Sequence, residues 1–191
     1  MRSFIRHVNV LHQRKKLMGI GILVCGLNGS GKSTLGKALA EKLGFHFIDN
    51  EDLFFPKLNP EYLYAAPRSK EEVIKLLMDE VRAHANFIFV AVKGNYGEDI
   101  LPFYKYAVLI NVPKDIRLQR VKNRSYQKFG DRMLPGGDLY EREKAFFDLI
   151  SSRGETEVEE WAKSLTCPII RIDGTKAIEK NITLIVEQLQ I

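Results

Sequence analysis

The chain is poor in cysteine, with two in 191 residues, and that scarcity excludes a disulfide-stapled extracellular scaffold. Cys25 and Cys167 both fall in predicted strands and read as small buried hydrophobes in a reducing, cytoplasmic setting. Long hydrophobic runs are missing: no stretch approaches the ~18 apolar residues of a membrane span. There is no internal repeat and no low-complexity tract, which sets repeat architectures aside. Most of the chain also lacks an excess of one charge. The formal net charge is +5, yet Arg2, Arg6, Arg14, Lys15 and Lys16, with no acid among residues 1–17, account for all of it. A neutral body with a short basic arm argues against a broad nucleic-acid surface.

The remaining composition, 45% hydrophobic and 28% charged, is ordinary for a globular protein, and the length suits one domain with a sizeable core, or one domain plus a small mobile insert. Met18 stands directly before the first apolar run, so residues 1–17 read as a basic N-terminal appendage and 18–191 as a single domain. The arm and the apolar stretch Met18–Leu27 imitate a secretory signal. The imitation fails because the apolar stretch runs straight into a glycine-rich motif that cleavage would destroy.

Strand-like and helix-like segments alternate, the pattern of a parallel sheet covered by helices on both faces. Strands are expected at 20–26, 45–49, 86–92, 106–112 and 169–172. Leu35, Leu39 and Leu43 recur at helical spacing with Gly44 as their stop. Ser69 and Glu72 form a capping box for a helix over 69–84. A helix is expected from about Pro113 to Tyr126, then a glycine-rich loop at 128–138. Further helices are expected at 139–151, at 156–165 with Thr156 and Glu159 as its cap, and at 177–190.

Residues Gly26 to Thr34 read Gly-Leu-Asn-Gly-Ser-Gly-Lys-Ser-Thr, a complete phosphate-binding loop between the first strand and the first helix. Its glycines let consecutive backbone N–H groups turn inward around a polyphosphate. Gly26, Asn28, Gly29, Ser30, Gly31, Lys32, Ser33 and Thr34 are therefore the candidate nucleotide-binding residues. Lys32 is placed to reach the β/γ-phosphates and the Ser33 hydroxyl to ligate Mg²⁺. The third strand ends Ala91-Val92-Lys93-Gly94 without the acid often found there. Asp49, ending the second strand, is the best alternative metal ligand beside Ser33, with Glu51 and Asp52 close behind; an N-cap on a following short helix is the competing role for Asp49. Arg117, Arg120 and Arg124 are spaced to share one helix face and lead into the loop carrying Arg132. Such a loop suits a lid that excludes water and brings arginines to a transferring phosphate.

On these residues the chain resembles the P-loop small-molecule kinases, the broad group of nucleoside monophosphate, shikimate and gluconate kinases. The resemblance implies a three-layer α/β/α fold with five parallel strands in the order 2-3-1-4-5. It also implies an acceptor-binding insert after the second strand (about 50–85) and a helical lid after the fourth (about 117–138). The segment after the last strand, here with Gly174 and Thr175, would contact adenine. ATP and Mg²⁺ are the implied cofactors and a small molecule the implied partner. Phe47–Leu53 and Ala91–Tyr96 are similar to gluconate kinase segments, with Glu51, Phe54 and Gly97 departing from that pattern.

A hydroxyl acceptor needs a carboxylate to orient its proton, whereas a phosphate acceptor needs arginines. Asp49, Glu51 and Asp52 against Arg68 and Arg82 favour a hydroxyl. Lys32, Asp52 (or Glu51), Arg120, Arg124 and Arg132 are then the candidate catalytic residues. Phe54, Phe55, Tyr62 and Tyr64 are either a pocket wall or core. A nucleoside monophosphate kinase, and an ATP-binding switch with slow or no hydrolysis, stand as alternatives.

Overall fold

The computed structural model describes residues 19–58, 61–62 and 64–191; the basic arm at 1–17 lies outside them. Five strands, β1 (Gly21–Cys25), β2 (His46–Asp49), β3 (Phe87–Ala91), β4 (Tyr104–Asn111) and β5 (Ile169–Asp173), form one parallel sheet in the order β2-β3-β1-β4-β5. Every residue of β1 and β3 is buried, as expected of central parallel strands covered on both faces. Their alternation divides the core. Leu23, Phe87 and Phe89 pack on one face with Val73 and Leu77, and Ile22, Val24 and Ile88 on the other with Leu35, Leu39 and Ile185.

The helices supplying those layers are α1 (Lys32–Leu43), α2 (Asn50–Phe54), α3 (Lys70–Ala83), α4 (Lys114–Phe129), α5 (Tyr140–Ser152), α6 (Glu157–Ala162) and α7 (Ile178–Gln188). Leu35 and Leu39 are buried on α1, and Gly44 closes it with φ 68°. Gly36 lets α1 approach β3: a Cβ there would lie 2.3 Å from Val90 Cγ1. The Ser69–Glu72 capping box is formed.

Three local expectations are corrected. The segment 128–138 is not all loop, because α4 runs on to Phe129 and a 3₁₀ turn follows at Gly130–Met133. Arg132 grips Asp138 with two bonds of 2.9 and 2.6 Å and donates to the Glu61 carbonyl at 3.0 Å. Thr156 makes no side-chain cap, being itself helical in φ and ψ, and Glu159 is held by Arg171 of β5 at 2.6 Å. Cys167 stands before β5 and is half-buried, whereas Cys25 is fully buried; both are free. Among the described residues no helix is long and apolar enough to cross a membrane.

Candidate active site

The phosphate loop leaves the C-terminal end of β1 and turns into α1. Gly29 and Gly31 take φ of 81° and 92°, values that non-glycine residues rarely adopt, and Gly31 is the N-cap of α1. Gly29 has a second reason to be glycine: a Cβ would sit 2.3 Å from the Arg117 carbonyl oxygen. The twelve-residue helix α1 thus points its free N–H groups and positive dipole end at the loop's concavity, where a polyphosphate is favoured.

Lys32 is partly buried there and donates to the Leu27 carbonyl at 3.1 Å. Burial pushes its pKa down from 10.5 to about 8; Asp49 and Cys25 pull it up, and Arg124 and Arg153 add to the fall. Asp49 lies on the other side, its pKa raised by burial, while the Ser33 hydroxyl and the Glu51 N–H stabilise the charged form. The Glu51 N–H bond, 2.8 Å long, makes Asp49 the N-cap of α2, so its two candidate roles coexist. Ser33 and Asp49, a hydroxyl and a carboxylate side by side, are hard oxygen donors of the kind Mg²⁺ takes.

Ser30 is 2% exposed and its hydroxyl has no partner. A buried hydroxyl in a glycine-rich loop beside a helix N-terminus fits a polyphosphate that would supply the missing bond. Ser30, Gly31 and Thr34 share a cavity of about 240 Å³ with Arg120, Gly174 and Lys176. The β5–α7 segment is pressed against the loop, since a Cβ on Gly174 would meet the Ser30 carbonyl oxygen at 2.9 Å. Thr175 is turned toward Asp173, bonding it through both its N–H (2.8 Å) and its hydroxyl (2.6 Å), and lines the edge of a larger cavity of about 710 Å³ behind the loop.

The three arginines of α4 separate. Arg117 is 3% exposed and donates to the carbonyls of Val112 (3.1 Å) and Asn28 (3.4 Å), bracing the phosphate loop from beneath. Arg120 donates to the Gly174 carbonyl at 3.1 and 3.2 Å, on the side expected for adenine rather than for the transferring phosphate. Arg124 alone lines a third cavity, of about 370 Å³, beside Asn28 of the loop. Arg132 lines none of the three cavities, being occupied by Asp138.

That third cavity reaches the phosphate loop at Asn28. Its acid from the β2–α2 segment is Glu51, which accepts the Tyr64 hydroxyl at 3.0 Å and faces Lys128 at 3.7 Å. Asp52, expected in that role, is exposed and paired with Lys57 instead. Phe55, Tyr62 and Tyr64 do form its wall, with Phe129 and Phe146 from the lid side; Phe54 packs into the core. Arg68 is used up on the Leu53 and Asp52 carbonyls at 2.7 and 3.3 Å.

Two residues escaped the sequence reading. Arg153, just past α5, donates to the Asn28 side chain at 2.6 Å and so places a guanidinium at the loop. Glu143, on α5, is buried in the cavity wall. Neither belongs to a local motif, and among the charged residues of α5 nothing in the sequence singles out Glu143; its burial is visible only in the structure.

Known proteins resemble this chain in sequence and in fold. A family model described as an AAA domain matches residues 22–145. The shikimate kinase of Gloeobacter violaceus is 30% identical over 130 residues, 66% of this chain and 73% of that protein. The uncharacterized protein YqaC of Bacillus subtilis is 26% identical over 176 residues, 88% of this chain and 96% of the relative. Among solved structures, a shikimate kinase from Bacteroides thetaiotaomicron matches with a TM-score of 0.57 at 19% identity, over 90% of this chain and 99% of the other. A gluconokinase from Sinorhizobium meliloti matches at 0.55 and 16%, over 87% and 89%. The chain belongs to the AAA-domain family of P-loop proteins and, within it, to the small-molecule kinases: it is a phosphotransferase.

Proposed function

We propose that this kinase moves the γ-phosphate of ATP to a hydroxyl of a small molecule held in the 370 Å³ cavity, in the cytoplasm and with Mg²⁺. The observation that carries the reading is Glu51, a carboxylate lining a cavity that also contains Asn28 of the phosphate loop and Arg124. Lys32 and the loop N–H groups hold the polyphosphate, and the phosphates restore the full charge that burial partly removes from Lys32. Ser33 and Asp49 would hold Mg²⁺, which would neutralise charge on the polyphosphate. Glu51 takes or orients the acceptor's proton while Arg124 and Arg153 meet charge on the transferring group. Arg120 and the Gly174–Thr175 turn flank the adenine. The lid is α4, the 3₁₀ turn and α5; its closure would exclude water.

A monophosphate acceptor would need arginines between β2 and β3. Arg68 there is committed to backbone carbonyls, and Arg82 lies in the last turn of α3 and lines none of the three cavities. The test is ADP formation over a panel of hydroxyl compounds and nucleoside monophosphates, with Glu51→Gln beside the parent chain. ADP formation dependent on a hydroxyl compound and reduced about 10²-fold or more in Glu51→Gln supports the reading. Turnover of monophosphates alone, indifferent to Glu51, would overturn it.

A further inference from the structure

Among the described residues, the buried side-chain polar atoms left without a hydrogen-bond partner are Ser30 Oγ and Glu143 Oε2. The first faces the nucleotide; the second belongs to the wall of the acceptor cavity. Glu143 is 2% exposed, and its other oxygen has only a long bond of 3.5 Å from the Tyr62 hydroxyl. An unpaired carboxylate oxygen out of water is expensive, and in native proteins such a group calls for an explanation, such as a functional role or a bound partner.

The neighbouring cations do not complete it. Arg142 turns its guanidinium over the Tyr62 ring, 5.1 Å from the centroid. Lys128 lies over the Tyr64 ring at 4.8 Å and faces Glu51. Arg124 is close enough to the loop to depress Lys32. Arg124 and Lys128 line the cavity and Arg142 stacks on its wall, yet none of them bonds Glu143, whose Oε2 is left without a partner among the described residues. Resting on the kinase reading, we infer that the acceptor hydroxyl belongs to a molecule bearing a nitrogen donor, an ammonium or an amino group on a ring, that binds Glu143.

The walls agree with this chemistry. Tyr62, Tyr64 and Phe129 form a mutually packed cluster with centroids 5.5–6.4 Å apart, which offers faces and edges to a ring or to a cation. A sugar acid or another carboxylate-bearing alcohol would set its charge against Glu143 in a site of low dielectric and be rejected. The same buried carboxylate rejects a donor-free isostere, because a partner stripped from water and left unpaired discriminates strongly. Two sources fit: amino sugars and related amino alcohols, or nucleosides with an exocyclic amine.

The experiment compares matched acceptor pairs with the full chain and MgATP: glucosamine against glucose and gluconate, cytidine against uridine, and adenosine against inosine. ADP release gives kcat/KM. Thermal shift with a non-hydrolysable ATP analogue gives binding without turnover. We expect the amino member of one pair to lead by about 10- to 100-fold, the worth of a hydrogen bond to a charged group. Glu143→Gln should cut that lead to about threefold or less, mainly through KM. The pair that responds identifies the source. Circular dichroism checks the fold, and Glu143→Met serves as a second variant if Gln disturbs it.

Efficient turnover of gluconate or glucose, unchanged by Glu143→Gln, overturns the inference and leaves the kinase reading standing. Thermal shifts from amino compounds that vanish in Glu143→Gln, with no ADP formed, uphold the binding site and bring down the hydroxyl-kinase reading. No shift and no turnover with any amino compound at millimolar concentration overturns the inference.

Discussion

Replacing Lys32 by methionine should make the free protein more stable while abolishing most of its activity. The fall of the Lys32 pKa from 10.5 to about 8 means that the folded state disfavours the charged form. At about 1.36 kcal/mol per pH unit, the charge costs roughly 3 kcal/mol at neutral pH. Partial exposure reduces that figure, and the substitution also gives up the 3.1 Å bond to the Leu27 carbonyl, worth about 1 kcal/mol. A net gain of about 1–2 kcal/mol remains. The pH dependence has a definite sign. Between about 8 and 10.5 the unfolded chain binds more protons at this lysine than the folded one, so the stability of the parent rises with pH there. The advantage of Lys32→Met should be greatest below pH 8 and fade toward pH 10.5. Urea unfolding of both proteins without nucleotide, at pH values from 6 to 10, reads this directly. A variant less stable than its parent at pH 7, or a difference that does not change with pH, would refute the reasoning. Activity should fall about 10²–10³-fold, as when one preorganised donor to developing charge is lost.

ATP affinity should decline as pH rises through about 8, because the protonated Lys32 is the form that binds; isothermal titration in buffers of different ionisation heat would show proton uptake. Asp49→Asn should raise the Mg²⁺ concentration needed for activity with little loss of stability, since asparagine also caps helices well; a Mg²⁺ titration unmoved by the change would count against Asp49 as a ligand. Asp52→Asn should be nearly silent in turnover and cost under about 1 kcal/mol, because it breaks only an exposed pair with Lys57; a large fall in kcat would return the acceptor role to Asp52. Arg117→Ala should cost about 2–4 kcal/mol in denaturant unfolding and weaken nucleotide binding, as it leaves the Val112 and Asn28 carbonyls without their buried donor.

The phosphate loop was legible because its physics is local. Glycines at fixed spacing, a lysine and a serine have their meaning wherever a strand precedes and a helix follows. The Ser69–Glu72 cap and the Leu35–Leu39 stripe were legible for the same reason. The strand order came from resemblance to known kinases and agrees with the sheet. Thr156 failed because the caps it resembled require an extended residue, and tertiary packing left it helical.

The choice among neighbours belonged to the tertiary structure. Glu51 and Asp52 are adjacent on α2, and one residue on a helix turns a side chain by about 100°. Which of them faces the cavity depends on Tyr64 and Lys128, which arrive from other parts of the chain. Spacing alone put Arg117, Arg120 and Arg124 on one face. Their separate ends at the loop, at Gly174 and in the cavity follow from what packs around that face. Arg153 and Glu143 come to the site only because α5 folds back over the loop, bringing Arg153 to Asn28, 125 positions earlier in the chain. The sequence by itself determined a phosphate-loop motif between a strand and a helix and an alternating α/β pattern, because those features are written in contiguous residues. The folded chain decided which charges line the cavity beside the loop, because that depends on contacts between residues far apart in sequence.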